Sequence, residues 1–119
     1  VGYNTITAWQ QQIHAGIVDG SISGHNAWRH KYAWSVTSWD KPSLYGSHFI
    51  RVLQQYLNDH GYSCGRYGVD GYLGRDTIKA IQRYLQEKGY DIGSYGVDGY
   101  LGSSTARALQ QSLNDDAWE

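Results

Sequence analysis

The sequence predicts an all-α domain, a small helical body in which a helix and a glycine-rich Asp-Gly loop form a repeated unit. Three observations lead there. The octapeptide YGVDGYLG occurs twice, at Tyr67–Gly74 and Tyr95–Gly102. Apolar residues recur at helical spacing beside the copies: Ile50, Leu53 and Leu57; Ile78, Ile81 and Leu85; Ala106, Leu109 and Leu113. Each trio falls at i, i+3 and i+7 and lays one apolar stripe along a helix. Where the first two stripes end stand Gly61 and Gly89, suited to the left-handed turn after a helix.

The elements follow in chain order. A first helix is expected near 5–15, where Trp9-Gln10-Gln11-Gln12-Ile13 resembles Leu53-Gln54-Gln55-Tyr56-Leu57. Val18-Asp19-Gly20-Ser21-Ile22-Ser23-Gly24 then resembles Val69–Gly74, with the final glycine displaced by one. A second helix is expected near 25–32. Residues 33–46, AWSVTSWDKPSLYG, hold the only proline and read as an extended connector, given the alternation in Trp34-Ser35-Val36. The remaining helices are expected near 47–60, 75–88 and 103–114. His60 and Lys88 place a cation near the C-terminal ends of the first two, as the helix dipole favours.

The same shift that superposes the octapeptides pairs Gly61-Tyr62 with Gly89-Tyr90 and Thr77 with Thr105. A fixed period marks one supersecondary unit used repeatedly. The chain therefore divides into residues 1–46, a degenerate first unit with its connector, and residues 47–119, tandem units. Both parts are expected in one folded body, docked through Trp9, Ile13, Ile17 and Ile22.

Composition narrows the function. A chain of 119 residues is long enough to bury one core. Ten Lys and Arg against eleven Asp and Glu leave a formal charge of −1, with no basic field for nucleic acid or anionic lipid. No apolar run approaches the roughly 20 residues that span a bilayer. Neither nucleic acid nor a membrane is expected as partner. The chain holds no methionine, and we expect it to be a processed piece of a longer polypeptide. Cys64 is the sole cysteine and can form neither an intrachain disulfide nor a thiolate cluster. It aligns with Ile92 and reads as a small buried hydrophobe. Eleven Tyr and five Trp stand against one Phe, so nearly every ring carries a polar handle fit for half-buried positions and interfaces.

Within VDGYLG the Asp-Gly pair is a turn. The Asp side chain can accept from amides two or three residues on, and Gly can take positive φ. Val69 and Leu73 are expected to point inward, and Gly74 to cap the next helix. That leaves Tyr67, Tyr72, Tyr95 and Tyr100. Ser21 stands at the place of Tyr72 in the first unit, so the turn itself does not require the ring. A contact role and a packing role both stay open for these tyrosines.

Enzyme chemistry finds little purchase. Asp70 and Asp98 would serve as paired carboxylates only if they faced each other across about 5–10 Å. Each belongs to its own turn, so capping is the expected role and no catalytic residue is assigned. The histidines at 14, 25, 30, 48 and 60 lack zinc-site spacing, and the loops carry too few carboxylates for calcium. No metal or cofactor is expected. The tryptophans at 9, 28, 34, 39 and 118 could stack on sugars, but their clustering in the irregular first third makes closing the core the expected role.

The pattern GY-x-x-G-x-x-GVDG-Y-LG-x-x-T-x-x-A-[IL]-Q, read from Gly61 onward, resembles the three-helix peptidoglycan-binding-like domain of bacterial and phage cell-wall hydrolases. The resemblance covers about 47–114 well and the first 46 residues poorly. Arg75 and Ser103 stand where family members commonly carry proline, and Tyr84 and Ser112 replace the usual aromatic at the end of the helix motif. The resemblance implies a non-catalytic module that binds peptidoglycan, by stem peptide or glycan, and targets an attached hydrolase such as an endolysin or autolysin. It would act at the cell wall, secreted or released by phage lysis. The implied contacts are Gln54, Asp70, Gly71, Tyr72 and Leu73, their equivalents Gln82, Asp98, Gly99, Tyr100 and Leu101, and the flanking Tyr67 and Tyr95. The alternative is a protein-interaction or structural helical repeat.

Overall fold

The computed structural model describes residues 1–43 and 45–119. Four α-helices form, α1 (Tyr3–Gln12), α2 (His48–Asp59), α3 (Arg75–Glu87) and α4 (Ser103–Asn114), with a 3₁₀ helix at Ala27–Ala33 between α1 and α2. Among the described residues there is no strand beyond a single bridge between Ile22 and Trp39. The protein is all-α.

The helices arise where the stripes lie. All nine residues of the three trios are buried, and Ile6, Trp9 and Ile13 add the stripe of α1. α1 packs against α4, α4 against α3, and α3 against both α2 and the 3₁₀ helix. At the centre Trp9 meets Phe49 edge-on at 5.4 Å and Trp118 at 5.3 Å, while Trp118 stacks on Tyr84 at 4.2 Å. These rings join the first helix, the second helix and the C-terminus in one core.

The α-helices stop in the same way. After α2 the amide of Gly61 donates to Asn58 and that of Tyr62 to Leu57; after α3, Gly89 donates to Gln86 and Tyr90 to Leu85. This pair of reversed hydrogen bonds needs a left-handed residue, and Gly61 and Gly89 supply it at φ of 90° and 92°. α1 and α4 make the equivalent bonds with His14 and Asp116 in that place, at φ of 58° and 56°. α2 begins on Ser47, whose Oγ accepts from the Ile50 amide, whereas α3 and α4 begin on Gly74 and Gly102 without a side-chain cap.

Three details differ from the sequence expectations. The segment near 25–32 forms a 3₁₀ helix, because Trp28-Arg29-His30-Lys31-Tyr32 offers no i, i+3, i+7 apolar stripe to bury. Ile17 does not dock: it is 62% exposed, because the turn through His14 and Gly16, both at positive φ, carries the chain outward. Of the five tryptophans, Trp9 and Trp118 are fully buried and Trp39 packs partly on the core, but Trp28 and Trp34 are more than half exposed. The last two sit on the 3₁₀ helix and just after it, outside the core. Their position shapes the site.

Candidate binding grooves

Each Asp-Gly loop is held by one buried glutamine. Gln54 is fully buried in α2. Its Oε1 accepts from the amides of Asp70 (3.0 Å) and Gly71 (2.9 Å). Its Nε2 donates to Asp70 Oδ1 (2.8 Å), to the Tyr72 carbonyl (3.1 Å) and to Thr77 Oγ1 (2.9 Å). Gln82 in α3 repeats every bond with Asp98, Gly99, Tyr100 and Thr105. Gln10 in α1 does the same for Asp19, Gly20 and Ser21, without the threonine. A primary amide offers two donors and one acceptor oxygen, which matches two loop amides and their facing oxygens.

Inside the turn the aspartate caps as its sequence position implies. Asp70 Oδ1 accepts from the Tyr72 amide and Asp98 Oδ1 from the Tyr100 amide, each at 3.0 Å. Burial pushes the Asp98 carboxyl up. The hydrogen bonds from Gln82 and Tyr100, with Arg75 nearby, outweigh this and hold it below the usual carboxylate range. Leu73 and Leu101 point into the core, but Val69 does not: it is 39% exposed, whereas the equivalent Val97 packs partly on the core.

Two grooves open along these loops. The first, of about 240 Å³, is lined by Cys64, Tyr67, Asp70, Tyr72 and the start of α3. The second, of about 470 Å³, is lined by the equivalent Ile92, Tyr95, Asp98, Tyr100 and the start of α4. The 3₁₀ helix and the residue after it close the far side of both, giving Trp28, Arg29 and Tyr32 to the first and Lys31 and Trp34 to the second. Beside the first unit, Gln10, Asp19, Ser21 and Phe49 line a hollow of only about 40 Å³.

The walls differ although the loops do not. In the first groove the Arg29 guanidinium lies 3.5 Å from the centre of the Tyr72 ring and 4.3 Å from that of Trp28. Tyr72 also meets His25 edge-on at 5.7 Å. In the second groove Tyr100 is 40% exposed, with Arg75 at 5.4 Å and the Tyr32 ring at 6.1 Å. Tyr67 and Tyr95 stand mostly in solvent at the groove mouths.

The anchoring of each loop to the N-terminal third differs too. The Leu101 amide donates to the Tyr32 carbonyl (2.8 Å), and the Ser35 hydroxyl donates to the Leu101 carbonyl (2.7 Å). The Leu73 amide instead donates to Nε2 of His25 (2.8 Å). With Nε2 accepting, Nδ1 carries the proton toward the Ser23 carbonyl (2.8 Å), so this ring is neutral. Burial lowers the His25 pKa; the Ser23 carbonyl raises it, Arg29 and His30 lower it further, and Asp70 raises it. Burial likewise pushes the Cys64 thiol up to about 11, so the thiol stays protonated in its half-apolar wall.

The match that bears on identity lies over the second groove. Residues 75–112 match the family model described as "Putative peptidoglycan binding domain". No curated protein and no solved structure matches the chain significantly. The peptidoglycan-binding match takes in α3, the second octapeptide loop and most of α4, and therefore Gln82, Tyr95, Asp98, Gly99, Tyr100 and Leu101. It omits the wall of the second groove that Lys31 and Trp34 build.

Against the residues implied by the resemblance, the structure sorts them into two layers. Tyr67, Asp70, Tyr72, Tyr95, Asp98 and Tyr100 line the grooves. Gln54, Gln82, Leu73 and Leu101 lie beneath the loops, and Gly71 and Gly99 are buried as well. The two glutamines have their amides committed to the loop, so a ligand in the groove does not reach them. The signal for this was present: a glutamine stands at the matching helix position in three units, including the one whose loop lacks tyrosine. Sequence reasoning missed Arg29, Lys31 and Tyr32, and it assigned Trp34 to the core. The run Trp28–Trp34, rich in rings and cations without an apolar stripe, was the available hint of an exposed wall.

Proposed function

We propose that this chain is a non-catalytic module that binds peptidoglycan through the tyrosine-bearing grooves beside its Asp-Gly loops. In this reading it holds an attached wall hydrolase, such as an endolysin or autolysin, at the bacterial cell wall, reached by secretion or by phage lysis. The single observation that carries the reading is that the match to the peptidoglycan-binding family covers the loop and helices of the wider groove. We further propose that 47–119 are tandem units and 1–46 a degenerate unit, all in one folded body. The ligand contacts are assigned to Tyr95, Asp98 and Tyr100 in the second groove and to Tyr67, Asp70 and Tyr72 in the first.

Physical chemistry supports the choice of tyrosine. A ring with a hydroxyl can lie on a sugar face or a peptide methyl and still hydrogen-bond, which suits an amphipathic wall polymer. One shallow groove binds weakly, because association entropy offsets few contacts. Two grooves on one rigid body gain avidity on a polymer of repeating units if their spacing fits.

Co-sedimentation with purified insoluble peptidoglycan tests the reading. The chain is expected in the pellet, with no soluble muropeptides released. Tyr100→Ala is expected to weaken retention with little change in unfolding temperature, and Tyr72→Ala to weaken it less, because Arg29 already covers that ring. Failure of the parent chain to pellet would favour a protein-interaction or structural role instead.

A further inference from the structure

The second groove combines features that point to one part of such a ligand. Its walls are largely apolar and aromatic: Ile92 at the base, Tyr95, Tyr100 and Trp34 around it. Trp34 is seated by Gly102. A Cβ at that glycine would come within 2.7 Å of the indole Cζ2, whereas a Cβ at the equivalent Gly74 would meet nothing within 4 Å. The loop's last glycine therefore has a second use in the second groove alone, as the bed of an indole.

Charge separates the grooves as well. Positions 75 and 76, which line the first groove, carry Arg and Asp; their equivalents in the second are Ser103 and Ser104. The first groove thus holds cations and carboxylates together: Arg29 and Arg75 with Asp70 and Asp76. In the second, Lys31 is the one cation among the described lining residues, and the Arg75 guanidinium lies beside that lining, against the Tyr100 ring and the Asp98 carbonyl. The Asp98 carboxylate is turned to Gln82 and the Tyr100 amide through Oδ1, as Asp70 is to Gln54 and Tyr72. No ion pair of Lys31 occurs among the described residues; its ammonium stands 5.1 Å from the Tyr32 ring. An ammonium lining an aromatic cleft, with no ion pair among the described residues, complements an anionic group attached to an aliphatic one.

We propose that the second groove takes a carboxylate-bearing peptide, with Lys31 receiving the carboxylate and Trp34 walling its aliphatic part. This rests on the peptidoglycan reading and deepens it: in that polymer the free carboxylates sit on the peptides, while the acetylated sugars are neutral. Specificity would then come from two residues outside the segment that matches the family.

Binding of soluble probes by titration calorimetry tests this. The probes are a muropeptide with free peptide carboxylates, the same muropeptide amidated at those carboxylates, and the peptide-free disaccharide with its lactyl carboxyl, which removal of the peptide frees, blocked as the amide. The free-carboxylate form is expected to bind about tenfold more tightly than the amidated form, and Lys31→Gln to erase that difference while leaving the amidated form unchanged. Gly102→Ala, which displaces Trp34, is expected to weaken binding of both muropeptides, and Gly74→Ala to leave both unaltered. Both glycines lie at ordinary negative φ (−93° and −99°), so neither change strains the backbone. Equal affinity for the free and amidated forms, or a Lys31→Gln variant that still distinguishes them, overturns the proposal. Disaccharide binding as tight as that of the muropeptide overturns it in favour of the glycan. Retention on insoluble wall with no carboxylate preference defeats this inference alone, and absence of retention defeats the peptidoglycan reading with it.

Discussion

The first and second octapeptide loops share every residue, the same aspartate cap and the same glutamine lock, yet the space beside the second is about 470 Å³ and beside the first about 240 Å³. Local sequence built the same turn twice. What lies across from each turn was set by a different stretch of chain, the 3₁₀ helix, which lays an arginine on one tyrosine and a lysine beside the other. Two identical scaffolds can therefore offer different surfaces, because accessibility is decided by neighbours far away in sequence.

The largest effect that would break this comparison is removal of the shared wall. A chain starting at Gly46 loses Ile6, Trp9, Ile13 and Ile22 from the core and leaves the Leu73 and Leu101 amides without His25 and Tyr32. Each such side chain contributes about 1.5–3 kcal/mol when buried, comparable in sum with the whole stability of a small domain. The truncated chain is expected not to fold cooperatively in thermal unfolding; a parent-like transition would show that the wall is dispensable.

Next come the glutamines. Gln54→Ala and Gln82→Ala each strand two loop amides, at a cost of about 3 kcal/mol. Urea unfolding should give nearly the same loss for both, since Gln54 and Gln82 make the same five bonds to their loops and the following threonine. A large disparity would mean that the loops are equivalent only in outline. Asp70→Ala and Asp98→Ala remove one cap each and are expected to lower stability by about 0.5–2 kcal/mol. If either variant unfolds like the parent yet no longer binds wall, the carboxylate serves the ligand and the capping account fails.

The smallest effect sharpens the comparison by pH. Only the first loop hangs on a titratable acceptor. Because His25 is harder to protonate folded than unfolded, its contribution is fully present above the ordinary histidine value of about 6.5. It falls as pH drops through the lowered folded-state value, where the unfolded chain binds the proton first. Arg29 and His30 reinforce the lowering and Asp70 opposes it. Amide exchange should show Leu73 losing protection in mild acid relative to Leu101, whose acceptor is a backbone carbonyl. Equal loss at both amides would remove His25 from the explanation.

Much of this architecture was legible in the residues. The trios ending at Leu57, Leu85 and Leu113 located α2, α3 and α4 to within a residue or two, because a buried stripe leaves a periodic trace. The turn role of Asp70 and Asp98 was readable for a similar reason, since Asp-Gly chemistry is local. Trp28 and Trp34 were misread as core. Whether an indole faces inward depends on what packs over it, and no periodicity in Trp28–Trp34 records that. Gln54 and Gln82 were placed in contact with ligand when they lie beneath the loop, and only their recurrence as Gln10 beside a tyrosine-free turn argued otherwise. The groove walls came from tertiary contacts between segments about 70 residues apart, as the Leu101 amide on Tyr32 illustrates. No local pattern encodes such a distance.

The glutamine lock has one more consequence, for the lifetime of the covalent chain. Asp-Gly pairs are where polypeptides age readily, as the amide nitrogen after the aspartate closes on its carboxyl carbon and yields a cyclic imide and then isoaspartate. The chain has three such pairs, Asp19-Gly20, Asp70-Gly71 and Asp98-Gly99. In all three the glycine N–H is committed to a buried glutamine oxygen, at 2.9, 2.9 and 3.0 Å, and the aspartate Oδ1 is held by the amide two residues on. Ring closure would have to break both bonds and turn the nitrogen toward the carboxyl. The residues that shape the grooves thus also keep their backbone from isomerising with age.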